Sequence, residues 1–229
     1  METLHNGFTL TLSAESFPLS TDSMVLTDFV RLPKNARVLD LGSGCGTLGL
    51  LLCAKDTGCT VTGIELNETD HCTALENIRR NGLEHRLYSL CADLRSMPEA
   101  IGAGDYHCVV SNPPYFSGGE ASRKTPLARR DDCCPPEALF EAASKALRWG
   151  GDFFLVHKPE RLAQLCHLAC SAGLEPKALR YVCHSPEKAP GMILLQCRKG
   201  AKPGLQTDCI VLFHTDGSPT GDYRRIYHI

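Results

Sequence analysis

Apolar and polar positions follow two rhythms along this chain. Compact apolar runs at 37–41, 60–64, 87–91, 107–110 and 152–156 have the length of buried strands. Between them lie stretches at 47–54, 67–78, 136–149 and 159–172 that read as helices. Asn67 caps the second of these, which stops at Asn81-Gly82; Pro135-Pro136 opens the third, and Gly150-Gly151 ends it. Strand, helix, strand, helix predicts a parallel sheet with helices on both faces. The rhythm then breaks: 178–183 and 192–197 read as a strand pair, and 210–213 as a further strand. Ahead of the first buried strand, 8–12 alternates, and 22–30 forms a helix capped by Ser20 or Thr21, with Asp22 near its positive end. Pro33 ends that helix. The expected organisation is a single domain over 1–229, with a cap at 1–35, a core at 36–200 and an extension at 201–229.

In open parallel sheets ligands gather at the carboxyl ends of the strands. Four successive strand ends here carry polar chemistry. The first strand holds Asp40 and runs into Gly42, Gly44 and Gly46, a turn that lets a ligand approach the main chain. The second ends at Glu65, placed to accept two hydrogen bonds from a ribose diol. The third is followed by Asp93, suited either to an adenine amine or to capping the next helix. The fourth ends in Asn112-Pro113-Pro114-Tyr115.

That last segment is a stiff elbow, because neither proline can donate to a ladder and each fixes φ near −65°. The Asn112 side-chain oxygen and a neighbouring backbone carbonyl can each accept one N–H of a planar NH2 group. Tyr115 offers a face for a base or another flat group. A glycine turn with an acid at the next strand end also suits NAD. The spacing Asp40-x-Gly42-x-Gly44-x-Gly46 departs from the dinucleotide fingerprint, and no hydride-transfer residue or substrate domain accompanies it.

Composition narrows the class. The 229 residues, 43% hydrophobic and 22% charged, are those of a globular protein with one sizeable core. No apolar run approaches the roughly 18–20 residues of a membrane span, and the first residues do not form a signal peptide, so a cytoplasmic location is expected. The 13 cysteines include no C-x-x-C, and neither Cys133-Cys134 nor Cys166-His167 with Cys170 completes a zinc site, so no metal is expected. Net charge is −2, yet residues 1–122 carry 8 cations and 15 anions while 123–202 carry 14 and 8. The basic section, including Arg123-Lys124 and Arg129-Arg130 in a loop after Ser117-Gly118-Gly119, fits either a face for a polyanion or solvated helix faces.

Residues 38–46, Glu65, Asp93 and Asn112-Pro113-Pro114-Tyr115 together resemble the ordered motifs of class I S-adenosylmethionine-dependent methyltransferases, over about residues 36–200. The N-P-P-Y form resembles the amino-methylating branch. Phe17 to Phe29, Ser111 to Phe116, residues 157–162 and Gly221-Asp222-Tyr223 to Tyr227 resemble the bacterial tRNA1(Val) adenine-37 N6-methyltransferases, although Lys158 stands where that family has arginine. The resemblance implies a Rossmann-like α/β fold with a mostly parallel seven-stranded sheet, helices on both faces and an antiparallel last strand. It implies S-adenosylmethionine as methyl donor, S-adenosylhomocysteine as product and tRNA as partner. It assigns Gly42, Gly44 and Gly46 to the methionine part, with Asp40 ordering the turn, Glu65 to the ribose and Asp93 to the adenine. Asn112, Pro113, Pro114 and Tyr115 would hold the target amine, with Thr21 and Asp22 closing the pocket. A protein glutamine amide, an rRNA guanine N2 and a non-catalytic RNA-binding module are the competing readings.

Overall fold

The computed structural model describes residues 2–4, 6–13, 19–113 and 135–229. Strands β1 (Glu2–Thr3) and β2 (Thr9–Leu10) pair antiparallel ahead of the main sheet. Helix α1 (Thr21–Phe29) is capped by Ser20, whose side chain accepts from the Ser23 amide. It stops at Phe29, short of Pro33, because Val30 turns to φ −59°, ψ 133°. Lys55 Nζ takes the released carbonyls of Thr27 (2.6 Å), Asp28 (3.1 Å) and Val30 (2.8 Å).

The core then alternates: β3 (Arg37–Leu41), α2 (Thr47–Lys55), β4 (Thr60–Glu65), α3 (Glu68–Arg80), β5 (Leu87–Cys91) and β6 (Tyr106–Ser111). Next come α4 (Pro136–Ala146), β7 (Leu147–His157), α5 (Leu162–Ser171), β8 (Leu174–Cys183), β9 (Met192–Lys199), β10 (Gln206–Val211) and α6 (Gly221–Tyr227). The sheet order is β10-β8-β9-β7-β6-β3-β4-β5. Only β9 runs against its neighbours, between β7 and β8.

Two expectations need correction. The sheet has eight strands rather than seven, because β10 adds a parallel edge beside β8. Burial of Ile210 and Leu212 and the Arg180–Asp208 ion pair hold it there. Helix α4 also ends at Ala146, not at Trp149. Leu147 leaves the helix at ψ 136° and pairs with Tyr106, whereas Asp152 pairs with Cys108, so the residues between bulge outward through Gly150.

Successive residues of the central strands face opposite layers. Val38, Val110 and Phe154 pack with Leu50, Leu52 and Ile226 on the side of α1, α2 and α6. Leu39, Val109 and Phe153 pack with Leu139, Phe140 and Leu165 on the side of α4 and α5. The described cysteines are free thiols, and several, such as Cys53 and Cys197, fill the core. Among the described residues no helix is long and apolar enough to cross a membrane, and no cluster of three or more His, Cys, Asp or Glu side chains could hold a metal.

Candidate functional site

The four polar strand ends become neighbours in space, because β6, β3, β4 and β5 are adjacent and parallel. The glycine turn leaves β3 with Gly42, Gly44 and Gly46 at φ +73°, +53° and +82°, values that a side chain resists. The amides of Gly42 and Ser43 donate to the Ile64 carbonyl at 3.0 Å each, and Gly44 N donates to Glu65 Oε2 at 2.7 Å. Glu65 Oε1 accepts from Asn67 N at 2.8 Å. Burial raises the Glu65 pKa, opposed by the hydrogen bonds from Asn67 and Gly44. Each carboxylate oxygen keeps a lone pair for a further donor.

Glu65, not Asp40, therefore pins the turn, which corrects the role expected of Asp40. Neither Asp40 oxygen has a hydrogen-bond partner among the described residues, and the side chain is 1% exposed. Burial, with the nearby Glu65 charge, pushes its pKa up to about 8. A buried carboxyl without a donor, beside an open glycine turn, can accept from a cationic or N–H-bearing group. Among the described residues, no atom beyond the glycine and its two chain neighbours lies within 4 Å of where a Cβ would stand at Gly42 or Gly44.

Asp93 lies two residues beyond β5 and caps a 3-10 turn at Leu94–Ser96, accepting from Arg95 N at 2.8 Å. Arg95 also folds back on it through Nε and Nη2, and this hydrogen bonding lowers the Asp93 pKa. The capping role read from the sequence is thus present, and Oδ2, which the turn amide does not use, accepts from the Arg95 guanidinium.

Asn112 follows directly on β6. Ser111, fully buried, donates its hydroxyl to the Leu41 carbonyl at 2.7 Å and ties the ends of β6 and β3 together. Asn112 Nδ2 donates to Ser23 Oγ at 3.1 Å. Pro113 is buried behind it. Pro114, Tyr115, Phe17, Phe116 and the basic loop at 117–134 lie outside the described residues. Thr21 Oγ1 accepts from Tyr227 OH at 3.0 Å, and burial raises the Asp22 pKa, opposed by Lys158. His157, at the end of β7, accepts from Lys158 N at 2.8 Å; burial lowers its pKa to about 4, so the ring is neutral.

Sequence reasoning passed over a second layer of support. The buried face of α3 carries polar residues among its apolar ones: Asp70, Ala74, Asn77 and Ile78 are all buried. Asn77 Oδ1 accepts from Thr11 N at 2.9 Å, and its Nδ2 donates to the carbonyls of Thr11 (2.8 Å) and Cys45 (3.0 Å). Ser13 Oγ donates to Asp70 Oδ1 at 2.5 Å. The N-terminal segment is thereby stitched to the glycine turn. The signal that could have found it is Asn77, an amide at helical spacing in line with Ala74 and Ile78. Gly63 was also missed: a Cβ there would stand 2.5 Å from Ser43 Oγ, inside the turn.

Comparison with known proteins places the chain among methyl-transferring enzymes. A family model described as methyltransferase small domain matches residues 19–166. A tRNA1(Val) (adenine(37)-N6)-methyltransferase of Bacteroides fragilis is 30% identical over 181 residues, 77% of this chain and 75% of that protein. One of the same description from Tolumonas auensis is 31% identical over 198 residues, covering 84% and 81%. Among solved structures, a predicted O-methyltransferase from Agrobacterium tumefaciens superposes with TM-score 0.75 at 21% identity, over 91% of this chain and 96% of that one. A geranyl diphosphate methyltransferase in complex with SAM gives TM-score 0.58 at 14% identity, over 77% and 84%. The structural likenesses speak for the fold.

Proposed function

The chain belongs to the methyltransferase small domain family and, within it, to the tRNA1(Val) (adenine(37)-N6)-methyltransferases, and on that premise we propose that it methylates N6 of an adenine in tRNA, adenine 37 of a tRNA1(Val)-type substrate. The observation that carries this reading is the amide of Asn112, held at the end of β6 with its nitrogen engaged by Ser23 and its oxygen left for an amine.

The residues fit S-adenosylmethionine. The orphaned carboxyl of Asp40 suits the ammonium of its methionine part, beside the main chain of Gly42, Gly44 and Gly46. Glu65 keeps acceptor capacity for two ribose hydroxyls while it holds the turn. Asp93 would accept from the adenine amine through Oδ2, with Arg95 giving way or sharing. When bound, this cofactor supplies a methyl group already activated on a sulfonium sulfur.

The work left to the protein is positioning. The target base leaves its stack, at a cost of a few kcal/mol that is smallest in a loop. Tyr115 stacks on it, a contact worth about 1–3 kcal/mol. Asn112 Oδ1 and the Pro113 carbonyl accept the two amine hydrogens, which withdraws the nitrogen lone pair from ring conjugation and fixes its direction. Thr21 and Asp22, at the start of α1, close the pocket on the side of Asn112. The experiment is incubation with labelled S-adenosylmethionine and, in parallel, tRNA, rRNA and protein acceptors, followed by nucleoside analysis. Label in N6-methyladenosine of tRNA supports the reading. Label in guanine N2 or in a glutamine amide keeps the reaction type and overturns the substrate.

A further inference from the structure

The single tryptophan, Trp149, is 77% exposed, more than any other large hydrophobic side chain among the described residues. It stands on the bulge at the start of β7, at the amino edge of the sheet, across the fold from the glycine turn and Asn112. Its ring lies on the backbone of Gly200, which has φ +70°; a Cβ there would fall 2.2 Å from the indole. One side of the ring is thus seated on main chain, and the other is left to water.

The surroundings are cationic. Lys145, in the last turn of α4, and Arg148, in β7, precede the indole in the chain, and Lys199 and Lys202 flank the glycine beneath it. Lys199 is spent on the carbonyls of Ser144 and Leu147 at the end of α4, the role expected of a cation at a helix C-terminus. Lys145, Arg148 and Lys202 are exposed and form no ion pair among the described residues. Asp105 and Asp152 are already paired with Arg37 and Arg198, while Glu141 stands one helical turn before Lys145 on α4. Helix α5, which runs between the two edges, contains no charged residue at all, so no acid repels a polyanion along it.

We propose that Trp149, with Lys145, Arg148 and Lys202, is a second RNA contact, in which an unpaired base stacks on the open indole face while the three cations meet phosphates. An exposed flat ring with exposed cations before and after it in the chain matches the two chemistries of a nucleic-acid strand, its π-faces and its backbone charge. Six residues of β7 separate Trp149 from Leu155, the partner of Ser111, so this contact lies roughly 20 Å from the site, within the reach of a folded tRNA. The inference rests on the substrate being tRNA.

The sole tryptophan makes the test direct, because all indole emission from this chain reports on position 149. Titration of the full chain with tRNA should quench or shift that emission, saturating at the dissociation constant measured by filter retention. A Lys145→Ala, Arg148→Ala, Lys202→Ala triple variant should raise that constant at least ten-fold and lower its logarithmic salt slope by about two to three. Its affinity for S-adenosylmethionine should stay at the wild-type value. Wild-type protein that methylates tRNA while its emission is unmoved at saturation, and a triple variant with an unchanged constant, would overturn this contact and leave the proposed function standing. Emission that responds to protein concentration instead marks a surface for a second copy and also overturns the RNA assignment. Protein that neither binds nor methylates tRNA overturns both.

Discussion

Asn112 Nδ2 donates to Ser23 Oγ over 3.1 Å, joining the end of β6 to helix α1 across 89 residues of sequence. An asparagine amide has a donor end and an acceptor end, and only the acceptor end suits an amine. By receiving the NH2 group, Ser23 leaves Oδ1 as the end of the amide available to a donor. Ser23→Ala removes that choice, and turnover should fall roughly three- to ten-fold, the worth of about 1 kcal/mol for one net hydrogen bond. Cofactor affinity should be unchanged, and Ser23→Thr should restore most of the rate. Equal losses in turnover and cofactor affinity would show that Ser23 merely supports the fold.

Asp40 makes stability depend on pH. Its folded pKa of about 8 lies above the ordinary 3.8, so the folded state keeps a proton that the unfolded chain has released. Its contribution is complete below about pH 4 and is lost as pH rises through 8. Asp40→Asn should therefore raise the melting temperature of the ligand-free protein at pH 8 and gain little at pH 5. A cationic ligand beside Asp40 favours the ionised form, so cofactor binding near pH 7 should release up to one proton, seen as buffer-dependent heat in calorimetry. Identical heats in buffers of different ionisation enthalpy would contradict this.

Glu65 holds two loop amides, Gly44 N at 2.7 Å and Asn67 N at 2.8 Å. Glu65→Ala strips the acceptor from two half-buried donors, at a cost of up to about 1–3 kcal/mol for each group left unsatisfied. Cofactor affinity should drop on the order of ten- to hundred-fold, more than the loss from Asp93→Ala, because Asp93 holds only its own short turn. Equilibrium dialysis of the two variants decides the order.

Gly63 lies under the turn, with Ser43 Oγ 2.5 Å from the position of an added Cβ. Gly63→Ala should push Ser43 and the turn outward at a cost of about 1–3 kcal/mol. The expected result is a higher dissociation constant for the cofactor together with a lower melting temperature. Wild-type values for both would mean that Ser43 simply rotates away.

Much of this site was legible in the chain. The glycine turn, Glu65 and Asn112-Pro113 announce themselves because each lies within a few residues of an apolar run whose end it marks. Ser23, Asn77 and Gly63 did not, since their partners stand 89, 32 and 20 positions away and periodicity carries no pairing information. The motif points to Asp40 as ordering the turn, but a strand residue's hydrogen-bonding partners depend on which strand comes to lie beside it. The basic section at 123–202 was visible, whereas its division was not. Lys145, Arg148 and Lys202 ended at the amino edge, and Arg180 and Arg198 went into ion pairs. The bulge that ends α4 early and lifts Trp149 into solvent comes from the mismatch of β7 with β6, which local sequence does not encode.

The most direct measurement is the comparison of wild type with Asn112→Ala in methyl transfer to tRNA, alongside the dissociation constant for S-adenosylmethionine. With Asn112 as an acceptor for the amine, N6-methyladenosine formation should fall by about a hundred-fold or more while the cofactor constant moves less than about three-fold. Matching losses in rate and cofactor affinity would instead make Asn112 part of the cofactor's own site and contradict the role given to it.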